Sequence, residues 1–467
     1  MPFASFGLVA LANTMKQMLN GTGGSQVWLG VVFGLVFSGI GFGLLSLAIF
    51  GGRFLKRQQR LQTEHPAEPW LWREDWAQGR VKSNTRTGMI GAWVFAAFWN
   101  AVSMPALILV PRQAAKNPAA YLGLLFPAVG VFLLIRAIRL TWAYLEFGQT
   151  YFEISPVPGV VGGDLKGMIQ ARFPHSPDHG IKLRLSCVHR VISGSGNTQS
   201  TSENIAWRDE ASLSSGQLYP GPAGTSIPVH FRIPWDAQPT ETRSPRDAVE
   251  WVLEALADVP GVDYHDIFVV PVFRTAQTPS QPEPESAFAV QAAPRPDAMA
   301  VEVRQNGTGT EFYFPAARNK GFAAMTTVFC LIFGLVTFFL VHVHATFFFL
   351  VFGGFFLLLL FITAQMWLGT TRVIIDGGVL KLQAGLLGGG KVRQVPCSEI
   401  ASIGDKIAAQ EGGATGTPFY DIELALRDGQ KLTLGRTLRS KQETEWLVEQ
   451  MQRLTGLQTK TMAAGVS

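Results

Sequence analysis

The sequence predicts a membrane protein of the α + β class: five transmembrane helices, a cytoplasmic β-sandwich and a C-terminal β domain closed by one helix. Three observations carry this prediction. Residues 321–371 contain no Asp, Glu, Lys or Arg and are interrupted only by Val341-His342-Val343-His344. A bilayer-spanning helix takes about 20 apolar residues, so this stretch is two spans and a tight turn, with both ends emerging on one side. Residues 150–274 instead break into short apolar/polar alternations separated by Pro, Gly, Asn and Ser, the pattern of half-buried strands. With a mean hydropathy of +0.20, 16% charged and 11% aromatic residues, the chain is too apolar for an ordinary soluble protein and too polar for a bare helix bundle.

From the N-terminus, residues 1–26 place Phe3, Phe6, Val9, Met15, Met18 and Leu19 roughly on one face, predicting an interfacial helix. The basic region that would open a signal peptide is missing. Residues 27–50 form the first span. Its Gly30, Gly34, Gly39, Gly41 and Gly43 fit either close packing between helices or the general abundance of glycine in spans. The loop 51–88 carries Arg53, Lys56, Arg57, Arg60, Arg73, Arg80, Lys82 and Arg86. Such an excess marks the cytoplasmic side. Spans two and three cover 89–110 and 121–145, with Arg112 and Lys116 between them. Arg136 and Arg139 share a face near the end of span three beside Trp142 and Tyr144, placed to snorkel to the headgroups. Spans four and five are 321–341 and 345–368. The N-terminus is then outside and both large polar parts inside.

In the domain 150–274 the predicted strands are 151–154, 166–172, 182–188, 204–208, 227–233, 251–255 and 264–273. About seven short strands without a clear helix suggest a sandwich. Phe231-Arg232-Ile233-Pro234-Trp235-Asp236, then Trp251-Val252-Leu253-Glu254 and Phe268-Val269-Val270-Pro271-Val272-Phe273, resemble the end of an arrestin-type or immunoglobulin-like sandwich. That resemblance implies an interaction fold. A Pro/Gln/Ala-rich flexible linker follows at 275–298, then a short strand pair within 299–320. After the fifth span, strands are expected at 372–375, 379–383, 392–395, 400–403, 420–426 and 431–434, with Asp-Gly turns at 376–377 and 428–429. Ser440 and Glu443 form a capping-box pattern ahead of a helix with Trp446, Leu447, Met451 and Leu454 on its apolar face. Residues 372–456, beginning Arg372-Val373-Ile374-Ile375-Asp376 directly after a span, resemble a PH-like (pleckstrin-homology-type) domain of bacterial membrane proteins. Residues 457–467 are a tail. With Pro69-Trp70-Leu71-Trp72-Arg73-Glu74-Asp75-Trp76-Ala77-Gln78-Gly79-Arg80 after the first span, the whole chain resembles bacterial multi-span inner-membrane proteins of uncharacterised activity, which implies that location.

Each stretch that could carry chemistry has a plainer reading. Gly385-Leu386-Leu387-Gly388-Gly389-Gly390-Lys391 has the spacing of a phosphate-binding loop, but Val392 stands where a Ser or Thr should hold magnesium and a strand follows, so a hairpin loop is expected. His342 and His344 are too few to hold a metal and read as polar turn residues. Asp263-Tyr264-His265-Asp266 contains acid–base residue types, yet follows a Pro-Gly turn and is expected in a solvated loop. Cys187 and His189 share a strand face without an orienting carboxylate close in the chain. The loop 194–203 is expected to be a long mobile hairpin tip. Trp70, Trp72 and Trp76, alternating with charges, are either an interfacial anchor or an elbow docking on the β domains or on a partner. These tryptophans, with Arg136 and Arg139, are the candidate interface residues. With three cysteines, one within a span, no disulfide framework is expected, which fits soluble parts facing a reducing cytoplasm. The basic residues form no aromatic-interleaved stripe, so nucleic acid is not expected. No catalytic residue, cofactor or metal is assigned. The expected function is a non-enzymatic scaffold or regulatory adaptor whose partners are membrane lipid and other proteins, with self-association open; lipid binding and a transporter component are the alternatives.

Overall fold

A computed structural model describes residues 2–20, scattered positions between 27 and 45, residues 60–114, residues 121–281 apart from 122, 174–176, 178–179, 195–198, 222–223 and 245, and residues 295–457 apart from 297–298, 308 and 343–345. The chain divides into two units, Met1–Pro282 and Glu283–Ser467.

The first unit opens with helix α1 (Pro2–Leu19). Its Gly7, Leu11 and Thr14 pack on a helical stretch through Gly30, Gly34 and Ser38. A Cβ on Gly34 would lie 2.5 Å from Leu11 Cγ, and one on Gly7 2.4 Å from the Ser38 backbone nitrogen. The helix expected at an interface is thus held against another helix by small residues that let the backbones approach. After strand β1 (Arg80–Lys82), helices α2 (Thr85–Ala114) and α3 (Leu125–Phe147) form a hairpin. Trp93 Nε1 donates to Thr141 Oγ1 at 2.8 Å, and Asn100 Nδ2 donates to the Gly130 carbonyl at 3.0 Å, where glycine leaves the room. The β part comprises β2 (Tyr151–Ile154), β3 (Gly159–Val160), β4 (Asp164–Ala171), β5 (Ile181–Ser193), β6 (Ser200–Leu213), β7 (Tyr219–Gly221), β8 (Gly224–Arg232), β9 (Glu241–Ser244), β10 (Asp247–Ala257), β11 (Tyr264–Val270) and β12 (Val272–Phe273). One sheet runs β1-β2-β4-β8-β7; the other runs β11-β10-β5-β6, with β9 on β10. Alternate residues of both sheets meet in one core that includes Phe152, Leu165, Ile169 and Phe231 from the first and Leu185, Trp251, Leu253 and Phe268 from the second. This is the expected β-sandwich.

In the second unit, β13 (Glu302–Asn306) and β14 (Gly309–Phe314) precede helices α4 (Lys320–His342) and α5 (Thr346–Leu368). Then come β15 (Gly369–Asp376), β16 (Val379–Leu386), β17 (Val392–Pro396), β18 (Ile400–Glu411), β19 (Thr417–Leu426), β20 (Lys431–Leu438) and helix α6 (Lys441–Thr455). The strand pair expected to stand apart in 299–320 is the edge of the sheet β13-β14-β15-β16-β17, because β14 pairs with β15 across the helices. The sheet β18-β19-β20 and α6 complete a core around Phe312, Phe314, Leu380, Ile422, Leu447 and Met451. Ser440 Oγ accepts the Glu443 N–H, but Glu443 does not close the capping box. Its Oε1 instead accepts the N–H groups of Ala300 and Val301 at 2.7 and 2.8 Å, tying α6 to the start of the unit.

Among the described residues, four helices are long and apolar enough to cross a membrane: Thr85–Arg112, Leu125–Phe147, Lys320–His342 and Phe348–Leu368. The fifth expected span, 27–50, falls largely outside the described residues, as do most of the linker 275–298 and all but the first residue of the tail 457–467.

Candidate functional site: the mouth of the first helix hairpin

Both helix hairpins are inserted between neighbouring strands. In the first unit, β1 leads into α2 and β2 follows α3, and the two strands pair antiparallel with Lys82 opposite Tyr151 and Arg80 opposite Glu153. In the second, β14 leads into α4 and β15 follows α5, with Phe314 opposite Thr371. Each pair of apolar helices therefore grows from a sheet by both legs.

The first mouth is the more elaborately tied. Ser83 N–H donates to the Thr150 carbonyl at 3.1 Å, and Asn84 N–H donates to Ile267 of β11 at 3.0 Å. Gln149 Nε2 reaches the Ser83 carbonyl and hydroxyl at 3.2 and 3.0 Å. Beneath them lies Asp266, 2% exposed, whose two carboxylate oxygens accept the hydroxyls of Thr85, the first residue of α2, and Thr150, just before β2. A buried carboxylate is tolerable when hydrogen bonds replace its hydration, and here those bonds come from the two legs of the hairpin. Beside it, Tyr264 packs edge-on against Phe147 of α3 at 5.1 Å and Phe173 at 4.8 Å. Burial, and secondarily the Asp266 charge, push the Tyr264 phenol well above its usual range. The segment 263–266, expected in a solvated loop, thus supplies interior residues of β11.

The tryptophan elbow docks on the same sandwich. Trp76 is 1% exposed, donates from Nε1 to the Val269 carbonyl at 2.9 Å, and meets Phe273 edge-on at 6.0 Å. Trp70 lies against Phe273 at 5.7 Å, and the Arg73 guanidinium covers the Trp76 ring at 4.3 Å. Trp72 is buried and donates to the His65 carbonyl at 2.8 Å, closing the elbow on itself. An indole whose ring and N–H are both satisfied inside a β domain is not left for the headgroup layer. Arg136 and Arg139 lie elsewhere, exposed on α3.

No protein-family model and no curated protein matches the chain. Among solved structures, Spo0M, a sporulation control protein from Bacillus subtilis, matches at 9% identity over 53% of this chain and 88% of that one, with a TM-score of 0.19. A superposition of that quality carries no inference, and fold and function rest on the chain's own residues.

The remaining candidates have structural partners. Cys187 is buried, its thiol pushed up to about 12 by burial and pointed at the Gln238 carbonyl, while His189 pairs with Asp247 at 2.6 Å. A thiol so raised is a poor nucleophile. The loop around Gly388 is a β16–β17 connection held by Gln383 Nε2 on the Gly388 and Gly390 carbonyls. His342 bonds the Phe338 carbonyl of its own helix; His344 lies outside the described residues. The hairpin tip expected at 194–203 is shorter, since β5 runs to Ser193 and β6 starts at Ser200; residues 195–198 lie outside the described residues. One cluster on the second sheet was not foreseen from the residues alone. Arg208 and Glu254, both almost fully buried, approach at 3.5 Å, with Arg208 Nε also on Ser186 at 2.8 Å and His265 on Glu254 at 3.2 Å.

Proposed function

We propose that this chain is a non-enzymatic scaffold or adaptor of the bacterial inner membrane that presents two β domains to protein partners on the cytoplasmic side. The observation that carries the reading is the doubled insertion: each β domain is fused through two adjacent strands to its own apolar helix hairpin. A domain held by two hydrogen-bonded legs keeps its orientation to the bilayer, which suits a platform better than a tethered catalyst. Residues 274–299 between the domains contain no apolar run of spanning length, which supports one compartment for both. The arginines and lysines of 53–86 support the cytoplasm, and a first span at 27–50 then puts the N-terminus outside. An arrestin- or immunoglobulin-like sandwich and a PH-like second domain, both common as interaction folds, agree with this role.

The test is affinity purification of the tagged chain at native expression level in mild detergent, followed by mass spectrometry. A stoichiometric protein partner is expected. A turnover that depends on an Asp, His or Cys of either β domain would overturn the reading.

A further inference from the structure

The second unit contains a cavity of about 400 Å³ at the base of α4 and α5, where the helix pair meets its β domain. Its lining includes the apolar Phe361 and Met366 from the last turns of α5 and Pro315 just after β14, together with the polar Arg318, Arg436 and Thr370. The Arg318 guanidinium lies over the Phe314 ring at 5.4 Å and donates from Nη2 to the Arg436 carbonyl at 3.2 Å. Its Nη1 is buried without a hydrogen-bond partner among the described residues. Leaving a charged donor buried and unpaired is costly, so such a group marks a place where an acceptor is missing. The nearby carboxylates are engaged elsewhere. Asp421 accepts the Thr437 N–H at 2.8 Å, and Glu443 holds Ala300 and Val301. Burial lowers the Arg318 pKa, and the charges of Asp421 and Glu443 only partly offset this. α4 begins at Lys320, one residue after the lining Asn319, so the positive end of its dipole adds to the same lining.

We propose that this cavity binds a phosphate group, with Arg318 and Arg436 as its ligands, and that the phosphate belongs to the headgroup of an anionic membrane lipid. The two kinds of lining residue match the two ends of that molecule. The guanidiniums provide planar, paired donors of the kind that grip phosphate oxygens, and Phe361 and Met366 belong to the apolar surface of α5, where an acyl chain would lie. A free phosphate would satisfy the same donors without using those apolar residues. This site is independent of any partner bound by the scaffold.

The experiment uses full-length protein in mild detergent, with retained lipid quantified by native mass spectrometry after adding phosphatidylglycerol or phosphatidylcholine. Thermal unfolding with inorganic phosphate in lipid-free detergent is the second arm. Arg318→Gln and Arg436→Gln are compared with wild type, and Arg427→Gln, exposed between β19 and β20 and outside the cavity lining, is the charge control. Arg436 is exposed, so its variant keeps the test meaningful if Arg318→Gln fails to fold. Phosphatidylglycerol retained in preference to phosphatidylcholine, with affinity about tenfold lower in either variant and unchanged in Arg427→Gln, is the expected result. Stabilisation by inorganic phosphate, lost in Arg436→Gln and without lipid preference, would retain the phosphate site and replace its source. Binding of neither, or equal binding by wild type and a folded Arg436→Gln, would overturn it.

Discussion

Trp76→Ala separates an elbow that belongs to the sandwich core from one that only rests on it. The indole is 1% exposed, covered by the Arg73 guanidinium and met edge-on by Phe273, with its N–H on the Val269 carbonyl. Truncating a buried tryptophan costs about 3–5 kcal/mol, the upper end applying where the site cannot collapse and a buried carbonyl loses its donor. For a domain of this size each kcal/mol lowers the melting temperature by about 2–4 °C, so a fall of roughly 6–20 °C is expected. Trp76→Phe keeps most of the ring and loses the hydrogen bond, and should cost about 1–3 kcal/mol. Trp142→Ala, at an exposed position on α3, is the control and should leave the sandwich transition in place. The assay is thermal unfolding of the full-length protein in detergent by near-ultraviolet circular dichroism, with trypsin cleavage after Arg73 and Arg80 reporting release of the elbow. A Trp76→Ala protein that melts within about 2 °C of wild type and resists trypsin equally would refute the reasoning.

Three further outcomes are expected. Arg208→Ala leaves Glu254 buried with only His265, and should destabilise by about 3–5 kcal/mol, whereas Arg208→Met combined with Glu254→Leu should cost far less; a thermal double-mutant cycle measures both. Cys187, its thiol raised to about 12 and buried, should react with maleimide at neutral pH only after denaturation, while the half-buried Cys397 reacts in the native protein; labelling followed by peptide mass mapping decides this. Burial raises the Glu443 carboxyl above its usual range, more than the Val301 and Ala300 N–H groups and Arg318 lower it. The folded chain then holds this proton more tightly than the unfolded chain. Its contribution favours folding below the unfolded pKa and is lost as pH rises through the folded one. Glu443→Gln, which keeps an oxygen for those N–H groups, should gain stability relative to wild type from around pH 4 to pH 7, and parallel melting curves across that range would contradict it.

Strands with local alternation were legible in the sequence, and features made by pairing were not. Tyr151-Phe152-Glu153-Ile154 stands between a glycine-containing turn and a proline, and its expected limits match β2. Arg80-Val81-Lys82 offers one apolar residue between two charges and is a strand only because Phe152 and its neighbours lie opposite. Arg208 and Glu254 carry no local mark of burial. Three strands must be set in register, with Ser186 opposite Arg208, before their burial is apparent. Asp266 was similarly hidden, since the hydroxyls that hydrogen-bond it arrive from Thr85 and Thr150, residues separated from each other by an entire helix hairpin. Glu443 carried a genuine local signal, a capping box, which a distant pair of N–H groups overrode. The apolar helices needed no such context, because length and hydrophobicity alone specify them.

The pairing of Lys82 with Tyr151 and of Phe314 with Thr371 makes each helix hairpin removable. The strand ends on either side already face each other, so a short glycine-rich link from Thr85 to Phe147 preserves the register that the long insertion now spans and keeps the Thr85 and Thr150 hydroxyls on Asp266. Shortened in this way at both places and begun after the span expected at 27–50, the chain would yield two water-soluble domains for crystallisation or partner screening, and the excised helices could be grafted into another sheet as a ready-made anchor.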